Sequence, residues 1–199
     1  MVVGYVYLVN TILRAAGTVI ERGRDVLWIA VRRRARFEGW FKLELAYELE
    51  VSGFKEVTLE ERYQESKRAD ITFKVNNDKC FLELKTCVTN WAVRGVPLIT
   101  HVNITQEVGS FLDEDLESVK LVKKPNLGVA LMLLFPTKAE SDIISKIKAW
   151  KKHGDRLLGE SPLIRTVKLM DEVSIALLLF GPYQDGRLMR EPVGSWGPS

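Results

Sequence analysis

Two long apolar segments, at 129–135 and 173–180, constrain the fold of this chain more than any other feature. The first, VALMLLF, contains no polar residue, and the second, VSIALLLF, contains only Ser174. A strand that is apolar on both faces must be covered on both sides, which is typical of a central strand in a sheet flanked by helices. The two segments therefore predict an α/β protein.

The rest of the chain supplies the other elements of this sheet. Residues 3–35 are expected to be helical, with breaks near Gly17 and Gly23. The remaining predicted elements, in chain order, are a helix over 36–51, strands over 55–63, 69–76 and 79–86, and helices over 105–122 and 138–153. Short turns join the first three strands, and a helix precedes each of the last two. We therefore expect a mixed central sheet that contains an antiparallel hairpin and is flanked by helices.

The few cysteines and histidines limit which sites the chain can build. Two cysteines and two histidines in 199 residues exclude a disulfide framework, a four-cysteine zinc site and a three-histidine metal site. We expect a cytoplasmic protein without a membrane span, since two cysteines fit a reducing compartment and no uncharged run reaches the roughly 18–20 residues that a bilayer requires. The apolar N-terminus also lacks the basic residues that begin a signal peptide.

Positive charge is concentrated at the N-terminus. The net charge of the chain is +3. Residues 1–36 contain seven arginines and only two acidic residues, so the rest of the chain carries −2. The pattern predicts an N-terminal helical arm over 1–35 and an α/β domain over 36–199. The basic arm could follow a phosphate backbone, or its arginines could simply favour the negative end of a helix dipole.

The predicted hairpin at 68–86 gathers the polar residues that could carry chemistry. Side chains alternate between the two faces of a strand, so Asp70 and Thr72 point away from the apolar residues of their strand. Glu83 and Lys85 do the same on the partner strand. A turn centred on 77–78 would place Asp70 opposite Lys85 and Thr72 opposite Glu83. Asp70 and Glu83 would then be diagonal neighbours on one face.

Two carboxylates beside a lysine form a site for a hard cation. Carboxylate oxygens suit Mg²⁺, which keeps several water ligands and is completed by a substrate phosphate. The metal acidifies a bound water, while the lysine orients that water or stabilises the charged transition state. The alternative is a structural salt bridge between Asp70 and Lys85, with Glu83 exposed to solvent.

The hairpin resembles the active-site motif of the PD-(D/E)xK nuclease superfamily. Asp70 is followed, after twelve residues, by Glu83-Leu84-Lys85, and the order of elements over about 36–135 is similar to the family core. The one departure is Ala69, which stands where the family motif has a proline. The resemblance implies a restriction-endonuclease-like fold and a Mg²⁺-dependent nuclease acting on DNA, with Mn²⁺ able to substitute.

The resemblance also leaves alternatives open. The chain could be a catalytically inactive nucleic-acid-binding or assembly module, or an enzyme similar to Holliday-junction resolvases, which in this superfamily act as homodimers. Nucleic acid, and DNA in particular, is the expected partner in the catalytic interpretation.

Members of the superfamily often add a glutamate from the preceding helix to the metal site. At 100° per residue, Glu44 and Glu48 lie on a stripe with apolar residues, where an unpaired carboxylate is costly. Glu38 is expected to point elsewhere. We therefore predict Glu44, with Glu48 as second choice, as the third metal ligand beside Asp70 and Glu83. The alternative is a structural role for both glutamates at the edge of the buried face.

Overall fold

A computed structural model describes residues 4–64, 67–97, 103–138 and 140–189. Residues 1–3 of the predicted arm and 190–199 of the predicted α/β domain lie outside this range. The chain begins with three helices: α1 (Tyr5–Arg22), α2 (Arg24–Arg33) and α3 (Glu38–Val51). Gly17, where a break was expected, lies inside α1, whereas the break at Gly23 is confirmed.

The strands form one mixed sheet of seven strands. They are β1 (Lys55–Gln64), β2 (Lys67–Val75), β3 (Asp78–Val88), β4 (Leu127–Thr137), β5 (Leu163–Met170), β6 (Val173–Gln184) and β7 (Arg187–Leu188). The order in the sheet is β1-β2-β3-β4-β6-β5, with β7 paired to β6. Only β3 and β4 pair in parallel; the other pairs are antiparallel. The α/β class and the mixed sheet are thus confirmed.

Between β3 and β4 the chain crosses over in one long helical segment. It consists of α4 (Ile104–Ser110), a π-helical turn (Phe111–Leu116) and α5 (Glu117–Lys120). Two further helices, α6 (Glu140–Lys148) and α7 (Lys152–Gly159), precede β5 where the sequence predicts a single helix over 138–153. Strand β5 was not predicted, because its residues are only partly buried and lack an apolar run.

The two apolar segments form the centre of the sheet as predicted. Alternate residues of β4 and β6 face two separate cores, one covered by α1, α2 and α3 and the other by the helices from α4 to α7. The N-terminal helices therefore pack directly on the sheet. Leu8 and Leu27 of these helices are buried, whereas Tyr7 is exposed. None of the described helices is long and apolar enough to cross a bilayer.

Candidate functional site

The hairpin of β2 and β3 has a different register from the predicted one. Val75 pairs with Asp78 across a turn at 76–77, and Asn76 adopts a φ of 56°. The turn thus lies one residue earlier than expected, which changes the pairing by two positions. Because side chains alternate with a period of two, this shift keeps every residue on its face. It places Glu83, rather than Lys85, opposite Asp70.

Asp70 lies where β2 and β3 begin to separate. The paired register ends at Ile71 and Leu82. In a continued ladder the Leu84 N–H would donate to the Ala69 carbonyl. It donates instead to Asp70 Oδ2 at 2.8 Å. This hydrogen bond holds the carboxylate in the gap between the two strands.

The other oxygen of Asp70 faces helix α3. Asp70 Oδ1 lies 3.2 Å from Lys42 Nζ, and Lys42 also contacts Glu60. The Asp70 side chain is 21% exposed, so one edge remains open to a ligand. Asp70 is therefore fixed by a backbone amide on one side and a lysine on the other.

Glu83 is the most buried ionisable group of the site. Tyr63 donates a hydrogen bond to Glu83 Oε1 at 3.1 Å. Burial, reinforced by the negative charge of Asp70, raises the pKa of Glu83 to about 8. The two acids thus lie close enough to repel each other, and a cation between them would relieve that repulsion.

Lys85 follows Glu83 on the same face of β3. Its Nζ lies 3.7 Å from Asp115 Oδ2. Asp115 belongs to the π-helical turn between α4 and α5, and its Oδ2 is buried without a hydrogen-bond partner among the described residues. Burial raises the pKa of Asp115 to about 6, although the charge of Lys85 opposes the shift. Asp115 is thus a third acid beside the predicted motif.

Helix α3 contributes a carboxylate, but not the predicted one. Glu38 Oε2 accepts the Thr86 N–H at 2.6 Å and the Thr86 hydroxyl at 3.2 Å. Glu38 was expected to lie off the stripe of Glu44 and Glu48, near Lys42, and it does, but this side of α3 is the one that meets the hairpin. Glu38 and Lys42 are four residues apart, so both lie on the side of α3 that meets the hairpin.

Glu44 is not brought to the hairpin. Its Oε2 pairs with Arg22 of α1 at 2.8 Å, and Glu48 pairs with the same arginine at 2.9 Å. Around α3, Glu44 lies about 200° from Lys42, which contacts Asp70. The stripe that carries Glu44 and Glu48 faces α1, whereas the prediction of Glu44 as a metal ligand required it to face the hairpin. The structure thus favours the structural alternative for these two glutamates.

The residues at the hairpin suit a hard cation better than a soft one. No group of three or more histidine, cysteine or acidic side chains is arranged to hold a metal within the described ranges. Asp70 and Glu83 alone would supply carboxylate oxygens, which matches the way Mg²⁺ binds through one or two carboxylates plus waters and phosphate oxygens. Burial is the main cause of the raised pKa of Glu83, and the negative charge of Asp70, which such an ion would offset, adds to it.

Glu38, Lys42 and Asp115 lie at the site but were not predicted as part of it. Glu38 and Lys42 could have been found by placing the buried face of α3 on Phe41 and Leu45, which flank them. Asp115 could not have been found, because a π-helical turn changes the angle per residue and so the face on which later side chains lie.

No protein-family model, no curated protein and no solved structure matches this chain.

Proposed function

We propose that this chain is a Mg²⁺-dependent nuclease of restriction-endonuclease-like fold that hydrolyses phosphodiester bonds in DNA. The observation that carries the proposal is the opposition of Asp70 and Glu83 where β2 and β3 separate. Lys85 lies two residues further along the same face of β3. Two acids can hold a Mg²⁺ ion, and a lysine beside them can stabilise the negative charge on a reacting phosphate.

Each group would have a defined part in the reaction. Asp70 and Glu83 would hold a Mg²⁺ ion, which would supply a water of lowered pKa and a positive charge beside the phosphate. Lys85 Nζ donates a hydrogen bond to that water or to a phosphate oxygen, which stabilises the negative charge of the transition state. Asp115, whose Oδ2 lies 3.7 Å from Lys85 Nζ, would hold the lysine in position beside the acids.

Glu38 is proposed as the helix carboxylate of the site in place of Glu44. Its hydrogen bonds to Thr86 fix the backbone of β3 immediately after Lys85. Glu38 also lies close enough to Asp115 for its negative charge to raise the pKa of Asp115. It would thus position Lys85 through the strand, with Asp70 and Glu83 as the direct metal ligands.

The proposal is tested by a cleavage assay with Mg²⁺ or Mn²⁺ on duplex DNA, branched DNA, single-stranded DNA and RNA. We expect Mg²⁺-dependent cleavage of DNA that Lys85→Ala lowers by about 100-fold or more. Lys74→Ala is the matched control, because Lys74 lies on the same hairpin and pairs with Glu56 away from the acids. The control should cleave like the parent.

The alternatives give different results in the same assay. A nucleic-acid-binding module without catalysis would bind DNA and cleave no member of the panel under either metal. A resolvase-like enzyme would cleave branched DNA selectively, in symmetric pairs of cuts, and would sediment as a homodimer. Equal activity of the parent and Lys85→Ala would refute the role assigned to the lysine.

A further inference from the structure

The arginines at the end of α2 divide into one buried residue and two exposed ones. Arg34 is 7% exposed and donates hydrogen bonds to the backbone carbonyls of Thr89, Trp91 and Pro97. Within the described residues it forms no ion pair, so its charge is not neutralised locally. Arg34 therefore fastens the end of α2 to the segment that follows β3.

Arg32 and Arg33 are exposed and have a different environment. Together with Gly95 and Pro97 they line a groove of about 390 Å³. Neither arginine makes an ion pair or hydrogen bond with any residue that the structure describes. Gly95, with a φ of 79°, forms the tight turn on the opposite side, where the Val96 N–H donates to the Val93 carbonyl. Two exposed positive charges thus line this groove, and neither has an acidic partner among the described residues.

We propose that this groove binds a backbone phosphate of the nucleic-acid substrate, away from the bond that is cleaved. The inference rests on the proposed function and names a second contact for the same substrate. Arginine is suited to this role because its planar guanidinium donates two hydrogen bonds to a phosphate at once. Unpaired arginines also need not break an existing ion pair before they bind.

The connection between the groove and the site is short and fixed. Thr89, which accepts a hydrogen bond from Arg34, lies four residues beyond Lys85, or about 13 Å along an extended strand. That distance corresponds to about four base-pair steps of a duplex at roughly 3.4 Å each. The exposed Arg36 forms an ion pair with Glu107, which in turn accepts the Val88 N–H at 3.1 Å. A bound strand could therefore reach Lys85 and the groove together.

The test compares two double variants of the full chain with equal loss of charge. Arg32→Gln/Arg33→Gln removes the groove charges, whereas Arg14→Gln/Arg24→Gln removes two exposed arginines elsewhere on α1 and α2. Binding to a short labelled DNA duplex is measured in EDTA over a range of salt concentrations. We expect the groove variant to bind more weakly and its slope of log Kd against log salt to fall by about 2. The control variant should keep the parent slope.

The other outcomes distinguish failure of the groove inference from failure of the nuclease proposal. Equal changes in both double variants would mean that overall charge, not the groove, attracts DNA. Unchanged binding by the groove variant, in a chain that cleaves DNA, would reject the groove and keep the nuclease. Loss of binding by the groove variant in a chain that never cleaves would keep the groove and reject the nuclease. Arginine-dependent binding to phosphatidylserine vesicles without DNA binding would assign the groove to a membrane surface.

Discussion

Asp115 Oδ2 lies 3.7 Å from Lys85 Nζ, and it has no hydrogen-bond partner in the described part of the chain. Both side chains are about one quarter exposed, so they line the surface that a substrate would approach. Residues that orient a reacting group affect activity without touching the substrate. The pair therefore gives Lys85 a defined position relative to Asp70 and Glu83.

Replacing Asp115 should impair cleavage while leaving DNA binding intact. Asp115→Asn removes the charge that holds Lys85, and we expect kcat to fall by about 10- to 100-fold with KM nearly unchanged. The pKa of Asp115 is raised to about 6 by burial, so the parent should lose activity as the pH falls through 6. The variant should lack this limb of the pH profile.

Asp113→Asn is the control for this experiment. Asp113 belongs to the same π-helical turn but pairs with Arg156 at the surface. A parallel loss of activity in Asp113→Asn would indicate that the helix, and not the contact with Lys85, accounts for the effect.

Replacing Glu38 and replacing Glu44 of helix α3 should have different effects on cleavage. Glu38→Gln weakens the acceptor that fixes Thr86, and we expect cleavage to fall by about 10-fold or more. Glu44→Gln removes an exposed ion pair with Arg22 and should cost less than about 1 kcal/mol of stability, with no loss of activity. Cleavage rates and thermal unfolding of both variants are the measurements. Lower activity for Glu44→Gln than for Glu38→Gln would restore the original assignment.

The two central strands of the sheet were predictable because both of their faces are buried, whereas the partly buried β5 was not. The segments at 129–135 and 173–180 had to be central strands, and the alternation of polar and apolar residues around Asp70 and Glu83 set the faces of the hairpin. A turn displaced by one residue left those faces unchanged, since the pairing moved by two positions. The cross-strand partners were wrong, because Glu83 rather than Lys85 lies opposite Asp70, and Phe81 rather than Glu83 pairs with Thr72.

The helix contribution to the site was not predictable from the stripe that carries Glu44. Helix α3 has two packed sides, one against the sheet and one against α1, and apolar residues occur on both. Arg22, which pairs with Glu44, is 22 residues away in the sequence, so no local pattern indicates it. The position of Asp115 depends on a π-helical turn, which hydrophobic periodicity does not reveal.

The stability of the protein should depend on pH because Glu83 of the hairpin is buried beside another acid. The pKa of Glu83 is raised from 4.5 to about 8, mainly by burial. Between pH 4.5 and about 8, Glu83 ionises in the unfolded chain but stays protonated in the folded chain, which lowers the free energy of unfolding. Without metal, therefore, the melting temperature should fall as the pH rises from 5 to 8. The pKa of Glu61 is lowered by Lys79 and Thr72, so Glu61 makes the fold more stable as the pH rises, but only near and below its ordinary pKa of 4.5.

Mg²⁺ should reverse this loss at the upper end of the range. The ion stabilises the ionised form of Glu83, so the rise in melting temperature on adding Mg²⁺ should be larger at pH 8 than at pH 5. Glu83→Gln should flatten both dependences, whereas Glu56→Gln, which replaces an exposed residue of β1, should not. A Mg²⁺ effect that is equal at both pH values, or retained in Glu83→Gln, would place the ion elsewhere.

Arg34 should be the structural member of the arginine cluster. Removing its side chain leaves the carbonyls of Thr89, Trp91 and Pro97 without their donors, and each buried group left unpaired costs about 1–3 kcal/mol. Arg34→Ala should therefore lower the free energy of unfolding by roughly 3 kcal/mol or more, and amide hydrogen exchange should accelerate over 89–97. Arg34→Lys keeps the charge but cannot donate to three carbonyls in the same geometry, so its free energy of unfolding should lie between those of Arg34→Ala and the parent.

Arg32→Ala removes an exposed arginine two residues away and should leave both measurements unchanged. If Arg34→Ala and Arg32→Ala behaved alike, the segment after β3 would be held by its own packing, and the rigid connection between Lys85 and the arginine groove would be lost.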